Sequence, residues 1–230
     1  MFTGIIEEVG VVREVTHLDA GRELVIAAET VLADLEVGSS ISVDGVCQTI
    51  VQLGDGAAAF LKVQAIASTL SRTTLGEFEP GRGVNLERPI AAGERFGGHF
   101  LQGHVDGVGA VTEVEREGEM VRVAFTLPET VRPYTILHGS IAVDGVSLTI
   151  NALGGDGTAE VALIPYTYAH TNMSRLAPGS RVNLEADLIG KHIVQALAEY
   201  REVAPGGAGG GSGGPKPATS YLSGTDSISE

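Results

Sequence analysis

An internal duplication constrains this chain more than any other feature. Ile41–Ile50 reads ISVDGVCQTI and Ile141–Ile150 reads IAVDGVSLTI, with seven of ten positions identical. Three further blocks recur in the same order. Gly4-Ile5-Ile6-Glu7-Glu8-Val9-Gly10 aligns with Gly103-His104-Val105-Asp106-Gly107-Val108-Gly109, and Ser68-Thr69-Leu70 through Leu75 aligns with Tyr166-Thr167-Tyr168 through Met173. Val84-Asn85-Leu86-Glu87 returns as Val182-Asn183-Leu184-Glu185. The offsets stay between 98 and 100. A period of that size means duplicated domains, since solenoid units repeat every ~20–50 residues. The copies keep their scaffold and change one reactive atom, Cys47 against Ser147, which suggests two similar pockets with different tasks.

With 230 residues the chain has room for two domains of about 100 residues each. Acidic residues outnumber basic ones 29 to 15, giving a formal charge of -14. Nothing in that pattern would displace counterions from a nucleic-acid backbone or dock on anionic lipid, so no nucleic acid and no membrane are expected as partners. No apolar run approaches the ~20 residues of a membrane span, and MFTGIIEEVG is not built like a secretory leader. The single cysteine fits a reducing compartment, and a soluble, cytoplasmic protein is expected.

Each copy is written mostly in strands. Glu23–Ala27, Ala59–Ala65, Met120–Thr126 and Ala159–Ile164 are short, alternating or β-branched, and bounded by Gly, Asp or Pro. Asp44-Gly45 and Asp144-Gly145 mark a tight turn or a bulge. Several antiparallel strands per hundred residues predict a small closed barrel, which removes exposed edges. One short helical turn per copy is expected at Glu29–Leu35 and Glu129–Leu137. The fold class is therefore all-β, with two small closed barrels in tandem over 1–98 and 99–187. Beyond them Ile189, Ile193, Ala196, Leu197 and Tyr200 recur at helical spacing, predicting a C-terminal helix over 188–201. Its apolar face could cover its own chain or a neighbouring subunit. From 202 to 230 a Gly/Ser/Pro-rich tail cannot repay its ordering entropy and is expected to be disordered.

Cys47 precedes Thr49 by two, and Ser147 precedes Thr149 by two, so on a strand each pair presents its polar atoms to one face. The ordinary alternative is a small buried thiol and hydroxyls that satisfy nearby backbone. His104, two residues before Asp106, is the side chain best suited to proton transfer near neutral pH, or else a surface histidine. His99 lies five residues earlier, which on a continuous strand puts the two rings on opposite faces, so no metal site is expected. Gly97-Gly98-His99 and Gly154-Gly155 lack the strand–helix context of a nucleotide loop, and no Gly-x-Ser-x-Gly elbow occurs. Asp44 and Asp144 read as turn residues, and a paired-carboxylate mechanism has no other sign.

MFTGIIE, VDGVCQT, GGHFLQGHVDG, SIAVDGVSLT, LIPYT and the two copies of VNLE, taken as an ordered set, resemble riboflavin synthase of the alpha-chain type from Met1 to about Arg201. The resemblance implies two tandem six-stranded Greek-key barrels, each binding a lumazine, and a helix that joins three subunits into a homotrimer. Each active site would form between the N-terminal barrel of one subunit and the C-terminal barrel of its neighbour. The implied reaction is dismutation of two 6,7-dimethyl-8-ribityllumazine molecules to riboflavin and 5-amino-6-(D-ribitylamino)uracil by four-carbon transfer. No cofactor and no metal is implied, and an association with lumazine synthase is left open.

The same resemblance places His104 and Thr149 near removal of a proton from the acidic C7 methyl. Cys47 and Ser147 occupy the polar seats beside the rings, Phe2 matches an N-terminal aromatic tied to activity, and Asp187 is the acid after the second VNLE block. The N-barrel pocket would use Gly4, Ile5, Ile6, Cys47, Gln48 and Thr49. Gln64, Ala65, Ile66, Ala67, Ser68 and Thr69 would extend it, with Gly103, His104 and Val105 nearby. The C-barrel pocket would use His138, Ser147, Leu148 and Thr149 together with Ala162, Leu163, Ile164, Pro165, Tyr166 and Thr167. Gln48, Ser68 and His138 depart from the family's usual Leu, Glu and Lys. The main rival is a non-catalytic, antenna-type lumazine or flavin binder, which loses pocket residues in one copy. A flavin-dependent reductase would want a nucleotide-binding α/β domain, for which the sequence has no segment.

Overall fold

The computed structural model describes residues 1–56 and 59–203, so the expected tail lies outside the described residues from 204 onward. Twelve strands form two closed antiparallel barrels. The first consists of β1 (Glu8–Leu18), β2 (Gly21–Ala27), β3 (Ser40–Val43), β4 (Val46–Gly54), β5 (Phe60–Ile66) and β6 (Gly83–Glu87). The second consists of β7 (Gly107–Glu117), β8 (Met120–Thr126), β9 (Ser140–Val143), β10 (Val146–Leu153), β11 (Thr158–Leu163) and β12 (Arg181–Ala186). Around the first barrel the order is β1-β2-β5-β4-β3-β6, and the second repeats it with its own six strands. Three hairpin-linked strands with an earlier strand returning beside them make this the Greek-key order that the resemblance implies.

The copies agree down to their irregularities. A register shift falls between Val12 and Glu14 in β1 and between Val111 and Glu113 in β7. A second falls after Ile50 in β4 and after Ile150 in β10. Such bulges sharpen strand twist and help short strands close a barrel. The helical turns anticipated near 30 and 132 are 3-10 turns, Thr30–Asp34 and Arg132–Tyr134. Two short helices that the strand pattern did not signal, α1 (Ala67–Leu70) and α2 (Pro165–Ala169), follow β5 and β11.

Each barrel interior is filled with side chains, including Leu24, Ile26, Ile41, Leu61, Phe78 and Leu86 in the first and Val123, Phe125, Ile141, Ile150, Leu163 and Leu184 in the second. Strand alternation explains this. In β4, Val46, Gln48 and Ile50 turn inward while Cys47 and Thr49 face out, and β10 repeats the pattern with Ser147 and Thr149 outside. The polar seats therefore lie on the outer barrel walls, while apolar side chains occupy the barrel interiors.

The hairpin tips between β3 and β4 and between β9 and β10 meet at the seam. Asp44 and Asp144 both have φ 44°, and Gly45 and Gly145 follow at 77° and 79°, the left-handed pair of a type I′ turn. A Cβ on Gly45 would come within 2.6 Å of the Gly145 nitrogen, so only glycine lets the tips touch. Turn geometry is thus confirmed for both aspartates, but they do more than turn the chain. Both are buried, and Asn172 donates to Asp44 Oδ1 at 3.0 Å and Asp144 Oδ2 at 3.1 Å. Asn85 Nδ2 donates to the Asp144 carbonyl at 2.9 Å, and Asn183 Nδ2 donates to the Asp44 carbonyl at 2.8 Å. The asparagine of each VNLE block thus clamps the opposite barrel.

After β12, α3 (Leu188–Val203) docks by its first turn. Lys191 pairs with Asp106 at 2.9 Å, and Gly190 lies over the Tyr134 carbonyl, where a Cβ would come within 3.3 Å. Ile189, Ile193, Leu197 and Tyr200 remain more than half exposed. Of the two roles open to its apolar face, covering the chain's own barrels is not the one observed.

Candidate functional site

The segment before each barrel docks on the other barrel. Phe2 and Leu101 exchange backbone hydrogen bonds at 2.8 and 3.1 Å, and the His99 N–H donates to the Thr3 carbonyl at 3.1 Å. Beyond this short ladder the chains part crosswise. The Gly4 carbonyl accepts from the Ser147 N–H at 2.8 Å, while the Gly103 carbonyl accepts from the Cys47 N–H at 2.9 Å. Ile6 packs on the C-terminal core and Val105 on the N-terminal core. The grouping of Gly4, Ile5 and Ile6 with the N-barrel pocket is therefore corrected: Gly4 and Ile6 contact the C-terminal barrel, and the N-barrel pocket receives Gly103, His104 and Val105. Both glycines have positive φ, 78° and 76°, and a Cβ on either would come within 2.6 Å of the Ser147 or Cys47 Cβ. No other residue fits these two walls.

Two buried glutamates fix the crossing. Glu87 accepts from the N–H groups of Thr3 and Gly4 at 2.6 and 3.0 Å. Glu185 accepts from Gln102, Gly103 and His104 at 2.8, 3.0 and 3.1 Å. Burial pushes both carboxyls up against the pull of those N–H groups, Glu185 to about 7.

On the N-terminal barrel the result is a cleft of about 390 Å³ lined by Val46, Cys47, Thr69, Arg72, Thr73, Gly103, His104 and Val105. Its size falls within the ~300–1,000 Å³ range of small-molecule pockets. Among the described residues the His104 ring makes no hydrogen bond, which leaves it available to a ligand. Thr69 lies in α1, where its carbonyl accepts from Thr73 Oγ1 at 2.8 Å, and the Thr167 carbonyl in α2 accepts from Thr171 Oγ1 at 2.6 Å. Ile66, Ile164 and Tyr166 are more than half exposed at the start of these helices. They offer apolar surface on which a flat heterocycle can stack.

On the C-terminal barrel Ser147 has a partner that the sequence did not reveal. The His99 ring lies 2.7 Å from Ser147 Oγ through Nδ1, and its buried Nε2 has no partner. Burial pushes the imidazole below its ordinary value, and the Asp187 charge offsets part of that. Asp187 also accepts from the Ile189 N–H at 2.8 Å, capping α3, so one carboxylate links the helix to the His99–Ser147 pair.

Other expected site residues are placed differently. Phe2 is buried against Leu101 and Ala142, with Cys47 packed on the cluster, so it supports the thiol from beneath. Gln48 turns into the barrel, donates to the Cys47 carbonyl at 2.7 Å and leaves Oε1 unsatisfied. Gln64 is exposed and bonds Glu23 at 3.0 Å, while Ala65, Leu148 and Leu163 are core residues. Ala67, Ser68 and Pro165 lie on the exposed helix starts, and Ala162 is half-buried on β11. His138 stands at φ 62° in the turn before β9, with its ring exposed. Thr149, on β10, is not part of the His104 cleft. No cluster of His, Cys, Asp and Glu suited to a metal occurs among the described residues.

Comparison with known proteins gives a consistent result. The family model described as Lumazine binding domain matches twice, over residues 3–89 and 102–187. The chain is 43% identical over 202 residues to riboflavin synthase of Mycobacterium tuberculosis, covering 86% of this chain and 98% of that one. It is 39% identical over 202 residues to riboflavin synthase of Bacillus subtilis, covering 88% and 92%. Among solved structures it resembles LumP complexed with riboflavin, with a TM-score of 0.75 and 25% identity over 81% of this chain and 99% of that one.

Proposed function

Because the chain belongs to the riboflavin synthase family of enzymes built on paired lumazine binding domains, we propose that it catalyses the dismutation of two 6,7-dimethyl-8-ribityllumazine molecules. One molecule gives up a four-carbon unit and the other accepts it, yielding riboflavin and 5-amino-6-(D-ribitylamino)uracil. The observation that carries this reading is the pair of similar but unequal walls: Cys47 with His104 on one barrel, Ser147 with His99 on the other. Two copies of one substrate need such a difference if one is to donate and the other to accept.

His104 faces an open cleft and serves as the proton-transfer group at the C7 methyl, whose anion delocalises into the ring. Thr149, on the opposite barrel, reaches the same substrate when the C-terminal barrel of a neighbouring subunit covers the cleft. The thiol of Cys47 and the hydroxyl of Ser147, oriented by His99, hold or activate the two rings. Stacking them face to face supplies much of the rate, since oriented reactants reach effective molarities of about 10⁵–10⁸ M. An apolar groove between Met1, Phe100, Leu188, Ile189, His192 and Ile193 supports helix-mediated assembly of subunits, and a homotrimer working in the cytoplasm completes the reading.

The likeness to LumP keeps the binding-only reading in view, but here both polar seats, both threonines and His104 are retained. Purified protein given 6,7-dimethyl-8-ribityllumazine alone will form riboflavin, followed by its yellow-green fluorescence. Tight binding without product assigns it as an antenna-type binder instead.

A further inference from the structure

We propose that Glu185 is a positioning residue that fixes His104 at the mouth of the Cys47 cleft, acting through the backbone N–H groups of residues 102–104. The inference rests on the proposed reaction and deepens it. Glu185 belongs to β12 of the C-terminal barrel, yet the segment it holds walls the pocket of the N-terminal barrel. Its two oxygens accept three consecutive N–H groups, Gln102 at 2.8 Å, Gly103 at 3.0 Å and His104 at 3.1 Å. On the far side the Gly103 carbonyl is bound by the Cys47 N–H at 2.9 Å. The segment is thus gripped from both barrels, and a Cβ at Gly103 would come within 2.6 Å of the Cys47 Cβ, so the glycine lies directly against that wall.

The duplication supplies an internal control. Glu87 grips Thr3 and Gly4 in the equivalent way, but the residue after Gly4 is Ile5, where His104 follows Gly103. Only one of the two carboxylates therefore carries a proton-transfer side chain on the segment it holds. An ionised carboxylate accepts all three N–H groups, whereas the acid form places an O–H donor among donors and gives up at least one bond. The charged groups facing Glu185 are Lys191 of α3 and Asp106 just before β7, and these pair with each other at 2.9 Å. Burial dominates over both and puts the titration at about 7, so the grip loosens within a physiological range. The folded value is raised, so the carboxylate grip is complete above about 7 and fails as the pH falls through it.

The experiment compares wild type, Glu185→Gln, Glu185→Asp and Glu87→Gln by steady-state turnover of 6,7-dimethyl-8-ribityllumazine and by backbone amide ¹H–¹⁵N shifts against pH. In wild type the Gln102 and Gly103 amides titrate together near the midpoint of the acid limb of kcat. Glu185→Gln lowers kcat by about tenfold to a hundredfold, the cost of a misplaced catalytic group, with KM nearly unchanged. It also abolishes the titration of both amides. Glu185→Asp restores part of the amide titration, and Glu87→Gln leaves it intact. Unchanged kcat and pH profile in Glu185→Gln, or wild-type Gln102 and Gly103 amides without a common midpoint, overturns the proposal. The wild-type amide titration decides even if the variant does not fold. Absence of turnover in wild type defeats the proposed reaction, while the amides still test the grip.

Discussion

Replacing Asp144 with asparagine will change stability in opposite directions at low and high pH. In the fold the Asp144 carboxyl is raised from 3.8 to about 6, chiefly by burial. The protonated form is therefore favoured in the fold, and that stability is complete below 3.8 and lost as pH rises through about 6. Fully ionised, the buried carboxylate costs the fold on the order of 3 kcal/mol. Asparagine removes that cost. Its Oδ1 still accepts from the Asn183 N–H, now at 2.7 Å, but its NH₂ faces the Asn172 amide that donates at 3.1 Å. Losing that bond costs about 1 kcal/mol. The variant is thus less stable by about 1 kcal/mol at pH 3 and more stable by about 2 kcal/mol at pH 8. For a chain this long that is a Tm about 2–4 °C lower and about 4–8 °C higher, respectively. The high-pH gain is a minimum, because Asp44 is itself raised by burial first and by the Asp144 charge second. Calorimetric scans across pH at fixed protein concentration make the test. A Tm difference of constant sign from pH 3 to pH 8 refutes the reasoning.

Gln48→Leu removes a buried Oε1 without a partner but also the bond to the Cys47 carbonyl, and should raise stability by about 1 kcal/mol net, read as a higher denaturant midpoint; a lower midpoint contradicts this account of the site. His104→Ala should slow turnover by about 10²–10⁴-fold while ligand affinity, measured by lumazine fluorescence, changes little; equal losses in both leave His104 only a positioning role. Deleting residues 188–203 removes the exposed Ile189–Ile193–Leu197 face and should give monomers with little activity by light scattering and turnover. A fully active monomer is incompatible with a site shared between subunits.

The barrels were legible because their signals are local and stated twice. Alternating apolar residues in β4 and β10 set the inward and outward faces, and Asp-Gly marked both turns. The segments 1–4 and 99–103 were not legible, since nothing local says which barrel a short extended piece will dock on. The sequence around Gly4 accordingly does not say that its carbonyl meets the Ser147 N–H of the C-terminal barrel. For His99, a continuous strand from 99 to 104 would set its ring opposite that of His104. The chain there is an irregular connector, so its side chains do not alternate, and the ring turns to Ser147. Asp44 and Asp144 were read correctly as turn residues, but their burial depends on two hairpin tips meeting across the seam, a tertiary contact invisible in either repeat alone.

The central claim is that two unequal walls make two identical molecules react with each other. The most direct measurement is the product balance when the purified chain receives 6,7-dimethyl-8-ribityllumazine and nothing else. The account predicts that two lumazines disappear for each riboflavin and each 5-amino-6-(D-ribitylamino)uracil formed. Bound lumazine recovered unchanged, or riboflavin formed without the pyrimidine in equal amount, contradicts it.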